Sequence, residues 1–387
     1  MDFDPFAPRC FDDPYPAYLW LRREAPVYRR ADPAYFLLSR YDDIANAMTN
    51  ASSFSSARGV LIDTDSEKLP VNLMNMDPPR HDELRAMLTR ALTESRIAKL
   101  EERFREITVE LIESFRSRGE CDLVGDFARV LPSRVIAEVL EVDPADRDDF
   151  LRWNHAVNAG SEFTGDEALA AYQELDAYFR EVIADRRRHP RDDLVSRVFL
   201  ERQAGEEIND DEVKGFCTLL LVAGQHATIN WISNSIIELS RHRDQLELLI
   251  ERPELLRRGA AEELLRYVSP VQGLARTTTR DLVLHGVEIP RDSQVLLLFG
   301  SANRDERRFP GADRLDVTKP PEKSHFAFGH GIHYCAGSAV ARLEGRVALE
   351  ELIRCFGHFE VDEASIERNQ LVPGRGVGRV DVRFAKS

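Results

Sequence analysis

The run His325-Phe326-Ala327-Phe328-Gly329-His330-Gly331-Ile332-His333-Tyr334-Cys335-Ala336-Gly337 places three imidazoles and one thiol within eleven residues. Gly329 and Gly331, two apart, allow the backbone to approach a flat or bulky group closely, because glycine carries no Cβ. Cys335 stands where the next helix, about 336–355, is predicted to begin. Exposed N–H groups and the helix dipole there stabilise a thiolate, the metal-binding form of cysteine. Gly337 lets the first turn pack close to whatever Cys335 holds. On the residues alone three readings stay open. One is a glycine-rich lead into a helix with a buried thiol. A second is zinc held by His325, His330, His333 and Cys335, although no second Cys/His pair closes a tetrahedral site. The third is haem with an axial thiolate, for which one cysteine suffices.

Such groups need a scaffold, and the hydrophobic spacing predicts one that is mostly helical. Residues 96–116 place Ile97, Leu100, Phe104, Ile107, Leu111 and Phe115 at intervals of three and four, which predicts a single helix. Arg186-Arg187-Arg188-His189-Pro190 reads as the solvated end of another. Asn209 or Asp210 can cap a long helix through Val213, Phe216, Leu220, Ala223, Ala227, Trp231 and Ser235, about eight turns on one face. Gly224 in its middle costs about 1 kcal/mol relative to alanine and needs a reason. Short strands are predicted at 27–28 and 35–38, around a turn at Ala31-Asp32-Pro33, and after Pro270 at 281–285, 287–289 and 295–298. The expected class is α+β, mainly α, as a single domain over residues 1–387. Its β-rich parts are about 27–60 and 270–300, and its helical parts about 80–265 and 336–355.

Composition narrows the function classes. Apolar residues are 43% and charged residues 31%, which excludes disorder, collagen and coiled coil. A net charge of −15 argues against nucleic-acid binding over a broad face. Cys10, Cys121, Cys217, Cys335 and Cys355 are odd in number, widely spaced and free of C-x-x-C, so a disulfide framework is not expected and a reducing cytoplasm is. The opening MDFDPFAPRC lacks the basic and apolar regions of a signal peptide. Apolar runs fall well short of the ~20 residues that span a membrane.

Phe328-x2-Gly331-x-His333-x-Cys335-x-Gly337, with Gly329 beside the phenylalanine, resembles the haem-binding loop of the cytochromes P450. The likeness covers essentially the whole chain and is to the soluble bacterial type. Glu263-Leu264-Leu265-Arg266 resembles the family's E-x-x-R motif. His81-x3-Arg85, after Met76-Asp77-Pro78-Pro79-Arg80, resembles its propionate-binding helix. Ala302-Asn303-Arg304-Asp305 and Arg308-Phe309 resemble the segment before the haem loop. The resemblance implies the cytochrome P450 fold, a large helical domain with a long central helix plus a small β-rich region. It implies haem b (iron protoporphyrin IX), with Cys335 as iron ligand and Phe328, Gly329 and Gly337 around it. His81, Arg85, Arg276 and His333 would bind the propionates. Glu263 and Arg266, one helical turn apart, would form a buried pair holding the loop that carries Cys335. Thiolate electron push favours O–O cleavage, so the implied reaction inserts one oxygen atom of O2 into a small or mid-sized organic substrate, such as a secondary-metabolite intermediate. No flavin or nicotinamide fingerprint is present, so two electrons are expected from a separate ferredoxin and ferredoxin reductase. Arg342 resembles a partner-facing position, with Arg80 adding charge nearby. A monomer without membrane or nucleic-acid contacts is expected.

The central helix departs from the family pattern. Ala223-Gly224, where a bulge over the haem is expected, is followed by Gln225, His226 and Ala227, where the family has any residue, an acid and then threonine. Thr228 comes one residue late, about 100° round the helix. Three consequences stay open. His226 can face neighbouring helices while water or a substrate hydroxyl delivers protons. His226 can itself be the proton shuttle. Or the outcome is non-standard: oxidative coupling, peroxide-driven oxidation or nitric oxide reduction. A non-catalytic haem-binding protein is the alternative of a different class. Substrate contacts are expected from 55–76, 154–172, 270–274 and the turn at Val372-Pro373-Gly374.

Overall fold

The computed structural model describes residues 3–62, 72–158, 165–200, 207–321, 324–369 and 375–385. Six helices frame the site: α1 (Arg80–Ala91), α2 (Glu101–Arg116), α3 (Val130–Val139), α4 (Asp210–Arg241), α5 (Ala261–Val268) and α6 (Ser338–Phe356). The long helix α4 starts on a capping box. The Asn209 side chain accepts from the Glu212 N–H, and the Glu212 carboxylate accepts from the Asn209 N–H. It runs 32 residues without a break. Its first half packs Val213, Phe216, Cys217 and Leu221 with Phe150, Leu175, Phe179 and Ile183. Its second half packs Trp231, Ile232, Ile236 and Ile237 with Phe104, Ile107, Leu111 and Phe115 of α2 and with Leu343, Val347 and Leu352 of α6. One helix therefore belongs to two apolar cores, and the stretch between them is free to line a cavity.

The segment 96–116 is two helices, Glu94–Ala98 and α2, rather than the single one expected. The N–H groups of Lys99 and Leu100 bond three residues back, to Arg96 and Ile97. That tightening turns the chain before α2, yet Ile97 and Phe104 still reach the same core. Of the spaced apolar residues only Ile97 lies in the first helix; Leu100 sits in the turn, and α2 carries Phe104, Ile107, Leu111 and Phe115.

The main sheet has five strands, β1 (Val27–Ala31), β2 (Ala34–Leu38), β3 (Phe54–Ser55), β4 (Leu274–Thr278) and β5 (Gln294–Leu297), in the order β1-β2-β5-β4-β3. β2 and β5 run parallel, and the other pairs antiparallel. Leu282–Leu284 and Val287–Ile289 form a hairpin whose two turn residues, His285 and Gly286, both have positive φ, as a two-residue turn demands. The sequence reading lacks β4, whose last four residues are all buried, so no polar alternation marks it. It also lacks the three-stranded sheet of Glu120–Asp122, Asp381–Phe384 and Phe359–Val361. No described helix is long and apolar enough to cross a membrane.

Candidate active site

The loop before α6 folds around Cys335. Two short 3-10 turns, Phe326–Phe328 and Gly331–His333, bring the Cys335 N–H to the Phe328 carbonyl at 2.8 Å. Gly331 has φ +68°, and a Cβ on it would lie 2.6 Å from the Met48 carbonyl oxygen. Its glycine character serves loop packing on the neighbouring helix, while Gly329 and Gly337 line the cavity that Cys335 faces. A Cβ at Gly337 would meet nothing within 4 Å. Burial pushes the Cys335 thiol up; the Gly337 backbone N–H and the charges of Arg85 and Arg342 oppose it, all three favouring thiolate.

His325 turns away from that cavity. Its Nε2 lies 2.9 Å from Glu262 and its Nδ1 accepts from the Ala327 N–H. The four zinc candidates therefore do not converge, and no group of three or more metal-ligating side chains forms among the described residues.

Four basic groups do converge. His81 and Arg85 lie four apart on one face of α1, Arg276 projects from β4, and His333 comes from the loop; all four line the same cavity. The His81 and His333 rings stand 4.4 Å apart. His333 Nε2 is 3.1 Å from the Ser56 hydroxyl, a partner that sequence reasoning missed because nothing in a lone serine beside β3 signals it. Burial, then the Arg276 and His81 charges, hold His333 down to about 3. Burial lowers Arg276 to about 10, against the raising effect of Asp77. Nε2 of His81 is buried without a hydrogen-bond partner. The two rim guanidiniums, Arg85 and the buried Arg276, with the orphaned His81 nitrogen beside them, need anionic partners, and a flat group with two carboxylate arms fits that rim.

Opposite Cys335 the wall is α4. Ala223, Gly224, Ala227, Thr228 and Trp231 line the cavity, joined by Val271 and Leu274. Helix α4 continues through Gly224 without the expected bulge, and the missing Cβ there leaves room for Ile136 of α3. With no bulge to re-aim it, His226 falls off the cavity wall. Burial and the Arg129 charge both lower its pKa, and Gln225 beside it bonds the Ser133 hydroxyl and the Arg129 carbonyl of the neighbouring helix. Thr228 lines the cavity, but its hydroxyl donates to the Gly224 carbonyl at 2.9 Å. Of the expected substrate segments, Val60, Leu73, Met74, Pro270, Val271 and Leu274 reach the cavity. Residues 63–71, 159–164 and 372–374 lie outside the described residues.

Glu263 and Arg266 of α5 form a bidentate pair with both contacts at 2.8 Å. Arg266 also donates to the carbonyls of Asn303 and Ala312, and Glu263 accepts from the Asp316 N–H. The pair thus grips the 303–316 segment directly. It reaches the Cys335 loop through Asn303, whose side chain accepts from the Phe326 N–H at 2.6 Å. Arg342 is not placed as a free docking charge. It is held by both oxygens of Glu262 and by the Tyr334 hydroxyl, with its guanidinium 4.3 Å from the Phe328 ring centroid. Arg80 is likewise engaged, by Glu212 and Glu83.

A thiol under a cavity rimmed by basic side chains and roofed by one long helix is the arrangement of a haem-thiolate protein. The family model for cytochrome P450 matches residues 256–378. The chain is 37% identical to vitamin D(3) 25-hydroxylase of Pseudonocardia autotrophica, over 98% of this chain and 96% of that protein. It is 38% identical to mycinamicin IV hydroxylase/epoxidase of Micromonospora griseorubida, over 86% of each. The structure of cytochrome P450 CYP109Q5 from Chondromyces apiculatus superposes with a TM-score of 0.88 at 35% identity, covering 100% of this chain and 99% of that one. The chain belongs to the cytochrome P450 family. It is a haem-dependent oxidoreductase of the monooxygenase class.

Proposed function

We propose that the enzyme uses haem b and O2 to oxidise a mid-sized, mainly apolar organic molecule. What carries the reading is one cavity with the Cys335 sulfur on one side, an apolar wall of Leu219, Leu220, Ala223, Ala227, Val271 and Leu274 on the other, and four basic groups at its rim. When bound, thiolate-ligated haem supplies dioxygen activation with two external electrons. Cys335 would ligate the iron, Phe328, Gly329 and Gly337 would flank the ring, and His81, Arg85, Arg276 and His333 would hold its carboxylates. The apolar wall excludes water and binds substrate by burial. The names of the vitamin D(3) and mycinamicin relatives support a lipophilic, polycyclic or macrocyclic substrate. Electrons would come from a separate ferredoxin and its reductase, to a monomer in the cytoplasm.

The test is an optical titration of the haem-loaded protein with a compound library. Steroid- and macrolide-sized lipophiles should shift the Soret band, and a response confined to small hydrophilic compounds would overturn the substrate class. Reduced protein under carbon monoxide should show the red-shifted Soret band of thiolate ligation, and Cys335→Ser should lose it. A second reading, a non-standard oxidation, draws on Ala227 and on the Thr228 hydroxyl being committed to Gly224. Product formed per electron separates the two.

A further inference from the structure

Glu262 and Arg342 stand immediately behind the loop that carries Cys335. Arg342 gives Nε and Nη2 to the two Glu262 oxygens at 2.6 and 3.2 Å, and Nη1 to the Tyr334 hydroxyl at 2.8 Å. Its guanidinium also lies over Phe328, whose carbonyl accepts the Cys335 N–H. One cation therefore touches both shoulders of the cysteine. Glu262 is turned the other way, onto His325. The His325 Nδ1 accepts a backbone N–H, so its proton sits on Nε2 and points to Glu262, and the ring needs no charge to make the contact. The side chains of Arg342 and Glu262 are only 23% and 11% exposed, so solvent screens the pair weakly.

We propose that the Glu262–Arg342 pair sets the reduction potential of the haem held by Cys335, as an oriented dipole with its positive end toward the thiolate. This rests on Cys335 being the iron ligand. Reduction adds one negative charge at the iron, and fixed charge near the ligand shifts that equilibrium. Arg342 favours the reduced state; Glu262, farther back and capped by His325, offsets part of that effect. Both are positioning residues that act through the loop.

The experiment is a spectroelectrochemical titration of haem-loaded wild type, Arg342→Gln, Glu262→Gln and Arg342→Lys. Arg342→Gln leaves Glu262 unopposed and should lower the midpoint by about 59 mV, a tenfold shift for one electron. Glu262→Gln leaves Arg342 unopposed and should raise it. Arg342→Lys keeps the charge and should stay nearer to wild type than Arg342→Gln does. A purely mechanical role loosens the same loop in both neutral variants and moves both midpoints the same way, and that result, or two unmoved midpoints, overturns the proposal. If Arg342→Gln does not retain haem, Glu262→Gln decides alone, and a midpoint at or below wild type overturns it. The carbon monoxide spectrum of the wild type reports the ligand separately. Its failure removes Cys335 as ligand, whereas an intact band with same-sign shifts removes only the tuning role.

Discussion

The Thr228 hydroxyl donates to the Gly224 carbonyl at 2.9 Å, so the hydroxyl that α4 brings to the cavity is spent inside its own helix. The carbonyl it occupies is the one four residues back, where a threonine on a continuous helix turns most readily. Together with Ala227 this leaves no free hydroxyl, carboxyl or imidazole among the described α4 residues that line the cavity, where the unpartnered polar hydrogen is the Trp231 indole N–H. Thr228→Val should therefore change product per electron by no more than about twofold. His226→Ala should behave the same way, because the imidazole lies off the wall. Ala227→Thr places a hydroxyl one residue earlier, on the cavity face, and should reduce peroxide release several-fold within the ~10²-fold range open to a positioned proton donor. A tenfold loss of coupling in His226→Ala would sink this account.

Arg276 is the more deeply buried of the two rim guanidiniums, at 3% exposure, and it meets little negative charge beyond Asp77. If Arg276 holds a haem carboxylate as proposed, Arg276→Gln would remove a charge-assisted hydrogen bond worth about 1.5–3 kcal/mol. Haem transfer to a scavenger protein should accelerate by roughly 10–100-fold. Transfer at the wild-type rate would show that Arg276 holds no propionate.

Glu262 predicts an acid limb of stability. Burial raises its carboxyl, but hydrogen bonds from His325 and Arg342 win and bring it down to about 2. The folded pKa lies below the unfolded value of about 4.3, so the contribution is complete above that value and is lost as pH falls toward 2. It amounts to roughly 3 kcal/mol. Denaturant midpoints of wild type should fall between pH 5 and 2.5 more steeply than those of Glu262→Gln, and parallel curves would contradict the assignment.

What the sequence made legible was local. The Asn209–Glu212 capping box, the two-residue turn at His285-Gly286 and the loop ending at Cys335 each depend on residues within a few positions of one another. The Glu263–Arg266 pair was legible for the same reason. The Arg342–Glu262 pair was not legible because Glu262 lies 80 positions earlier, and a surface arginine and one folded onto a carboxylate look alike in sequence. Ser56 beside His333 is 277 positions from its partner. His226 and Thr228 differ in kind. Residue type leaves their part in proton chemistry open, and the unbroken run of α4 through Gly224, which no residue type signals, sets which way each points.

Gly345 of α6 shows how tightly the thiolate side is fitted to α4. A Cβ there would lie 1.9 Å from Cζ3 and 2.3 Å from Cε3 of Trp231, far inside van der Waals contact. Trp231 is 1% exposed and also lines the cavity, so it cannot retreat without disturbing either the core or the site. Gly345→Ala should destabilise by about 1–3 kcal/mol through overpacking, despite the helix propensity gained, and lower Tm by several degrees. The clashing atoms belong to the six-membered ring of the indole, which a phenyl ring placed on the same rotamer would not fully reproduce. Trp231→Phe alone should also destabilise, by leaving a void. The double variant should then be more stable than the sum of the two single losses, with a coupling energy of about 0.5–3 kcal/mol, because the new methyl fills space the smaller ring vacates. Simple additivity in a calorimetric double-mutant cycle would mean that α6 shifts bodily to accommodate the added methyl group, and the fit between the two helices would then not be the constraint described.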